Sequence, residues 1–376
     1  MKRCIAIASI SLLLAGLMPV APQAQGKPDP AFVDKIVATM KGKFPDISVY
    51  CQMDEDARKK LTVDTVLDLA IAAKGRYAEP VASGLEAGAQ MRAACGREAK
   101  TVTAADIEMQ SPEQVRANAA KAADIAFPTE PADLSKARSG VTAIYKPAGQ
   151  GPFPALIIVS RCSAGGNDPD LINWAHETVK RGYVAFVLDA IGSRGIDTIC
   201  YGPKGGITYE RIVRDAALAA QHLRGFDFVD KQRIGLTGFS TGGMTGMMAA
   251  SKLLGETLAA GDRINAVVSV YPACVAGMGV LRQDIDKPML VLMGGADTEA
   301  PPEECLPGLE KLKQAGAPVE WHVFPNATHC WDCPRMSGFS KTDIRGAKVV
   351  YTYSGTITAD TADRLFGFLD RAMAKN

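Results

Sequence analysis

Charge of one sign is what this chain most plainly lacks. Lys and Arg total 42 against 41 Asp and Glu, for a formal net charge of +1. Lys2 and Arg3 fall in a segment expected to be removed, so the mature chain is near neutral. That balance excludes the electrostatic footprint of a nucleic-acid binder. Internal repeats and low-complexity tracts are absent, which argues against solenoids and propellers. Cys4 to Val20 is apolar apart from two serines, but the run is short for a membrane span and is broken by Pro19. No second C-x-x-C accompanies Cys330-Trp331-Asp332-Cys333, which makes it a poor zinc site. Histidine is scarce: His176, His222, His322 and His329 are all there are. None precedes residue 126, so the first third of the chain offers no imidazole for proton transfer.

What is present is ample material for a core. The 376 residues are 47% hydrophobic and 22% charged, enough for one large domain and a smaller one. Residues 1–26 read as a cleavable export signal: a basic start, an apolar stretch, then small residues with Ala24-Gln25-Gly26 as the cleavage site. Cys4 stands at the front of the apolar run, not at its end, so lipid attachment at the cleavage point is not expected. The location expected is periplasmic or secreted, with no membrane attachment after cleavage. Eight further cysteines follow: Cys51, Cys95, Cys162, Cys200, Cys274, Cys305, Cys330 and Cys333. An even number in an exported chain points to disulfides. Pairing neighbours in sequence is the simplest choice and keeps Cys51 and Cys95 together. An oxidising compartment favours a local Cys330–Cys333 bridge over a redox or metal motif.

Residues 27–125 read as a small helical domain. Asp29-Pro30 is an N-cap with proline in the first turn, followed by Phe32, Ile36 and Met40 on one face. Asp54 to Lys74 carries a second helical pattern, and Ser111-Pro112-Glu113-Gln114 is a capping box. Residues 126–376 have another texture. The apolar runs 141–145, 155–159, 184–188, 233–237, 266–270, 289–293 and 319–324 read as strands. Helical patterns over 168–180, 209–223, 244–254 and 361–373 alternate with them. That order specifies a mostly parallel sheet with helices on both faces, whose ligands sit at the carboxyl ends of the strands.

The chemistry gathers around Ile234-Gly235-Leu236-Thr237-Gly238-Phe239-Ser240-Thr241-Gly242-Gly243-Met244. Here a strand turns sharply into a helix at G-x-S-x-G, and only small neighbours let the backbones pass. Ser240 becomes the candidate nucleophile, and the Thr241 amide at the helix start a candidate oxyanion donor. Serine needs an adjacent base. Only His329 follows a strand end in a loop; His176 and His222 fall in helices and His322 in a strand. Asp297, after strand 289–293, is the candidate acid, in the chain order Ser, Asp, His. Asp189 and Asp332 compete with it. The loop after 155–159 should supply a second oxyanion amide, that of Cys162 or, next, Arg161. The Arg161 side chain has two readings: a solvent-facing loop arginine, or a clamp on a substrate carboxylate. Arg194 raises the same question.

These segments together resemble the dienelactone hydrolase family of α/β-hydrolases, in its exported serine-bearing branch. The resemblance covers about residues 139–372 and rests on Leu188-Asp189-Ala190-Ile191-Gly192-Ser193-Arg194-Gly195, Arg214-Asp215-Ala216, Phe228-Val229-Asp230 and the elbow. Tyr271-Pro272-Ala273-Cys274, the Asp297 and His329 loops and Thr358-Ala359-Asp360-Thr361-Ala362 also match. It implies an α/β-hydrolase fold and hydrolysis of a small ester or lactone through an acyl-enzyme, without metal or organic cofactor. It also implies a Cys274–Cys305 disulfide beside the acid loop. The chain departs from the pattern in three places: Ser240 stands where the best-known members have cysteine, Ser160-Arg161 stands where His-Gly is usual, and the helical segment before residue 126 lies outside the family core. The function expected is a serine hydrolase of small-molecule carboxylic esters or lactones. The alternatives are a peptidase or amidase with the same triad, and a non-catalytic binding protein acting through the helical domain. The sequence does not specify an oligomeric state.

Overall fold

The computed structural model describes residues 28–374, apart from 45–46, 54–57, 59–60, 63, 67, 70–79, 99–110, 139, 164–169, 201–202, 260–263, 275–278 and 343–347. The expected export signal, residues 1–26, lies outside the described residues, as does much of the second helical pattern. Two compact units divide the chain at residues 103 and 104.

The first unit is helical. α1 (Pro30–Lys43) starts where Asp29 Oδ1 accepts from the amides of Ala31 and Phe32. Its buried face, Phe32, Val33, Ile36 and Met40, meets Tyr50, Val66, Ala87 and Met91. α2 (Ile47–Gln52) and α3 (Pro80–Glu98) complete the packing, and the Cys51–Cys95 disulfide links them.

The second unit is built on a sheet in the order β1-β3-β2-β4-β5-β6-β7. The strands are β1 (Ala143–Tyr145), β2 (Phe153–Val159), β3 (Val184–Leu188), β4 (Val229–Phe239), β5 (Ala266–Val270), β6 (Met289–Gly294) and β7 (Val319–Phe324). Only β1 runs antiparallel, against β3. The central strands are buried along their length because alternate side chains enter different cores. Ile157, Leu236 and Val291 face α6 (Tyr209–Leu223), α7 (Thr241–Ala249) and α9 (Leu306–Gln314). Leu156, Val268 and Leu292 face α5 (Asp170–Lys180) and α10 (Gly355–Ala372). The alternation of strands and helices gives a mostly parallel sheet covered on both faces, and the strand order is consistent with the α/β-hydrolase fold that the resemblance implies.

Three details differ from the sequence reading. The helix expected over 244–254 is two, α7 and α8 (Lys252–Ala259). A hairpin of β8 (Ser340–Thr342) and β9 (Lys348–Val350) appears where no strand is expected. The compact units also divide earlier than residue 125. α4 (Pro112–Ala119), capped by its Ser111–Gln114 box, belongs to the second unit and packs on α6 and α8. Charge holds it there: Arg211 of α6 donates to the carbonyls of Ala119 and Ala122 and to the Asp124 carboxylate.

Candidate active site

β4 ends at Phe239, and Ser240 follows with φ 53° and ψ −115°, a strained left-handed-side conformation for a residue with a side chain. The flanking glycines make the turn possible. A Cβ on Gly238 would lie 2.1 Å from the Gly242 carbonyl oxygen. One on Gly242 would lie 2.5 Å from the carbonyl oxygens of both Val159 and Ser160. Ser240 occupies the N-cap of α7, yet its hydroxyl does not cap the helix. Oγ instead lies 3.0 Å from Nε2 of His329, whose Nδ1 lies 2.7 Å from Oδ2 of Asp297. The structure therefore joins the three residues, drawn from the ends of β4, β6 and β7, in one hydrogen-bonded series.

Each partner is held from behind. Asp297 Oδ1 accepts from the amides of Glu299 and Ala300, leaving Oδ2 for the imidazole. Gly294 and Gly295 let the acid loop pass the histidine loop: added Cβ atoms would lie 2.4 Å from the Ala327 carbonyl and 2.7 Å from that of Pro325. His329 is buried between the rings of Tyr271 and Tyr351, with centroids 4.7 and 5.6 Å away. Burial opposes the charged imidazolium, but the charge and hydrogen bond of Asp297, aided by the charge of Glu299, outweigh it and hold His329 above its ordinary range. Burial likewise opposes ionisation of Asp297, and His329 and the two backbone amides more than offset it, so the carboxyl is held below its ordinary range.

The Thr241 amide opens α7, where first-turn N–H groups have no intrahelical partner. Cys162 follows β2 and is bonded through Sγ to Cys200, while its carbonyl accepts from the Ile199 amide at 2.8 Å. The other expected bridges, Cys274–Cys305 and Cys330–Cys333, are also formed. Cys330, Asp332 and Cys333 are the one cluster of potential metal ligands among the described residues. Both sulfurs are in the disulfide, and Asp332 accepts from Arg161, Trp174 and Tyr271.

Both arginines considered for substrate turn inward. Arg194 gives Nε to the Ala123 carbonyl, Nη1 to the Ala190 carbonyl and Asp215, and Nη2 to Ala123 and Asp215. All five donors are engaged with protein, so a substrate clamp there has nothing left to offer. Arg161 is 8% exposed, which departs from the first of its two readings, a solvent-facing side chain, and its Nη2 pairs with Asp332 at 2.7 Å. Asp189, the rival acid, receives the Gly192 amide instead of an imidazole. Of the other histidines, His222 Nε2 bonds the Pro128 carbonyl at 2.7 Å, and His322 faces the Phe324 ring within β7. Glu299, Tyr271 and Trp174 went unread in the sequence as parts of the site. Glu299 lies only two residues beyond Asp297, but nothing local marks a carboxylate as facing a histidine.

Residues 141–354 match the dienelactone hydrolase family. A protein of Methylorubrum extorquens described as a putative carboxymethylenebutenolidase is 25% identical over 216 residues, covering 52% of this chain and 69% of the relative. Among solved structures, a thermophilic esterase of Thermogutta terrifontis has a TM-score of 0.47 at 19% identity, over 65% of this chain and 96% of that one. An α/β-hydrolase from a deep-sea metagenome of the Medee basin has a TM-score of 0.43 at 20% identity, over 60% of this chain and 86% of that one.

Proposed function

Because the chain belongs to the dienelactone hydrolase family, we propose that it hydrolyses a small carboxylic ester or lactone through an acyl-enzyme formed on Ser240. Ser240 Oγ attacks the substrate carbonyl while its proton passes to Nε2 of His329. Asp297 fixes the imidazole with Nδ1–H toward Oδ2 and stabilises the imidazolium. The amides of Thr241 and Cys162 receive the negative oxygen of the tetrahedral intermediate. His329 then returns the proton to the leaving alcohol, and the C–O bond of the ester breaks. Water, deprotonated by the same imidazole, attacks the acyl-enzyme, and the acid leaves as Ser240 regains its proton.

The observation that carries this reading is the unbroken series Ser240 Oγ–His329–Asp297, at 3.0 and 2.7 Å. A fluorophosphonate probe tests it. Wild-type protein should be labelled and lose esterase activity in step, and Ser240→Ala should do neither. Equal labelling of the two would overturn the assignment. Matched ester and amide substrates separate an esterase from an amidase.

The same proposal includes export to the periplasm or beyond. The disulfides Cys51–Cys95, Cys162–Cys200, Cys274–Cys305 and Cys330–Cys333 support an oxidising compartment. No helix among the described residues is long and apolar enough to cross a membrane. Mass spectrometry of the mature N-terminus is the check: removal of residues 1–26 is expected.

A further inference from the structure

Behind the catalytic series lies a buried polar network that the proposed chemistry does not use. Asp332, three residues beyond His329, has a fully buried carboxylate. Its Oδ2 accepts from Arg161 Nη2 and from Trp174 Nε1, each at 2.7 Å. Its Oδ1 accepts the Tyr271 hydroxyl proton at 2.6 Å, and the same hydroxyl accepts from Arg161 Nε at 3.0 Å. The guanidinium lies over the ring of Phe239, the residue before Ser240, at 5.2 Å from its centroid. One network thus joins the ends of β2, β4 and β5, helix α5 and the histidine loop after β7.

Arg161 is the amino-side neighbour of Cys162, and its carbonyl carbon bears the Cys162 amide nitrogen. On the far side, Cys162 is held by its disulfide to Cys200 and by the Ile199 amide. From below, the carbonyls of Val159 and Ser160 press against Gly242 of the elbow. The segment is therefore gripped on three sides, and of these three holds that of Arg161 reaches the histidine loop. Asp332 in turn sits in a turn closed by the Cys330–Cys333 disulfide, so a displacement of one loop is transmitted to the other.

We infer that the Arg161–Asp332 pair is a positioning device, which sets the oxyanion amide of Cys162 against the loop carrying His329. A buried ion pair adds little net stability compared with apolar side chains of like volume, but its directional bonds hold two loops in one register. The inference rests on the hydrolase reading above. It makes Arg161 and Asp332 positioning residues, neither of which touches the reacting atoms.

The test uses the full chain with Arg161→Met, Asp332→Leu and their combination, which removes both charges of the pair together. Sites are titrated with a fluorophosphonate, and kcat and KM are measured on an activated ester and its thionoester. A sulfur accepts hydrogen bonds poorly, so the oxo-to-thiono rate ratio reports the oxyanion contacts. In the double variant kcat per titrated site should fall by about tenfold to a hundredfold, with KM within about threefold, since losing one oxyanion donor outright costs about 10²–10³ in kcat. The oxo-to-thiono ratio should narrow with it. An unchanged kcat per site, or a fall with the ratio unchanged, overturns the inference. If the double variant does not fold, Arg161→Lys decides by the same ratio, because an ammonium can meet Asp332 but cannot also donate to Tyr271 in the same geometry. Ser240→Ala separates the two levels. An inactive Ser240→Ala beside an unimpaired double variant removes only the positioning role, whereas an active Ser240→Ala removes the nucleophile itself.

Discussion

At the scale of single residues, the decisive group in the proposed reaction is His329, because its protonation state would gate the proton transfer. A neutral imidazole is required to take the Ser240 proton, and Asp297 and Glu299 hold its pKa above the ordinary 6.5. The acid limb of kcat/KM should therefore have its midpoint above pH 6.5. Glu299 contributes negative charge, so Glu299→Gln lowers the pKa and moves the midpoint down. Lys341 opposes the imidazolium, so Lys341→Gln moves it up. A pH–rate profile of the three proteins checks both signs. Asp297→Asn is expected to cut kcat by about 10⁴-fold while leaving KM nearly unchanged, since an amide favours the wrong imidazole tautomer. Steady-state kinetics with site titration measures it.

At the scale of elements, the site depends on backbones passing at close range. Gly242→Ala would drive a methyl group into two carbonyl oxygens of the β2 end. Neither can move without dragging the sheet, so a loss of about 1–3 kcal/mol or more is expected, with nearly all activity. Thermal melting and turnover of the purified variant test this. Gly316→Ala is the control for space, with nothing within 4 Å of its Cβ, although its φ of 84° brings strain of its own. The β8–β9 hairpin is the other element the site needs. Lys341 and the Tyr351 hydroxyl both donate to Glu299, Thr298 Oγ1 donates to the Lys348 carbonyl, and Thr328 Oγ1 accepts from the Thr352 amide. The hairpin thereby braces the acid and histidine loops at once. Tyr351→Phe should keep the ring beside His329 but remove the hydroxyl's hydrogen bond to Glu299 Oε2. A shifted acid limb with little change in melting temperature is the expected result.

At the scale of the whole molecule, cross-links do different work in the two units. The helical unit has a small core around Phe32, Ile36, Met40 and Tyr50, and its one bridge spans a separation of 44 residues. By chain entropy such a loop is worth about 4 kcal/mol, a large share of what a small domain has. Cys51→Ser with Cys95→Ser should therefore lower the melting of this unit selectively. Calorimetry would resolve that as a transition separating from that of the sheet unit, which keeps its own bridges and both its cores.

The amino-acid sequence alone determined the alternation of strands and helices, the elbow, and the serine, acid and histidine as a set. Those are local properties: period, glycine at fixed offsets, and position after an apolar run. It also made neighbour pairing of cysteines the simplest choice, because that keeps Cys51 and Cys95 within the helical domain. Three matters awaited the folded chain. Arg161 turned inward to Asp332, Arg194 spent its donors on Asp215 and two backbone carbonyls, and Tyr351 came to lie against His329 with the charge of Glu299 acting on the same imidazole. Each joins residues from separate elements, and the direction in which a charged side chain points is decided by which partner the packing brings within bonding distance. No spacing along the polypeptide records that distance.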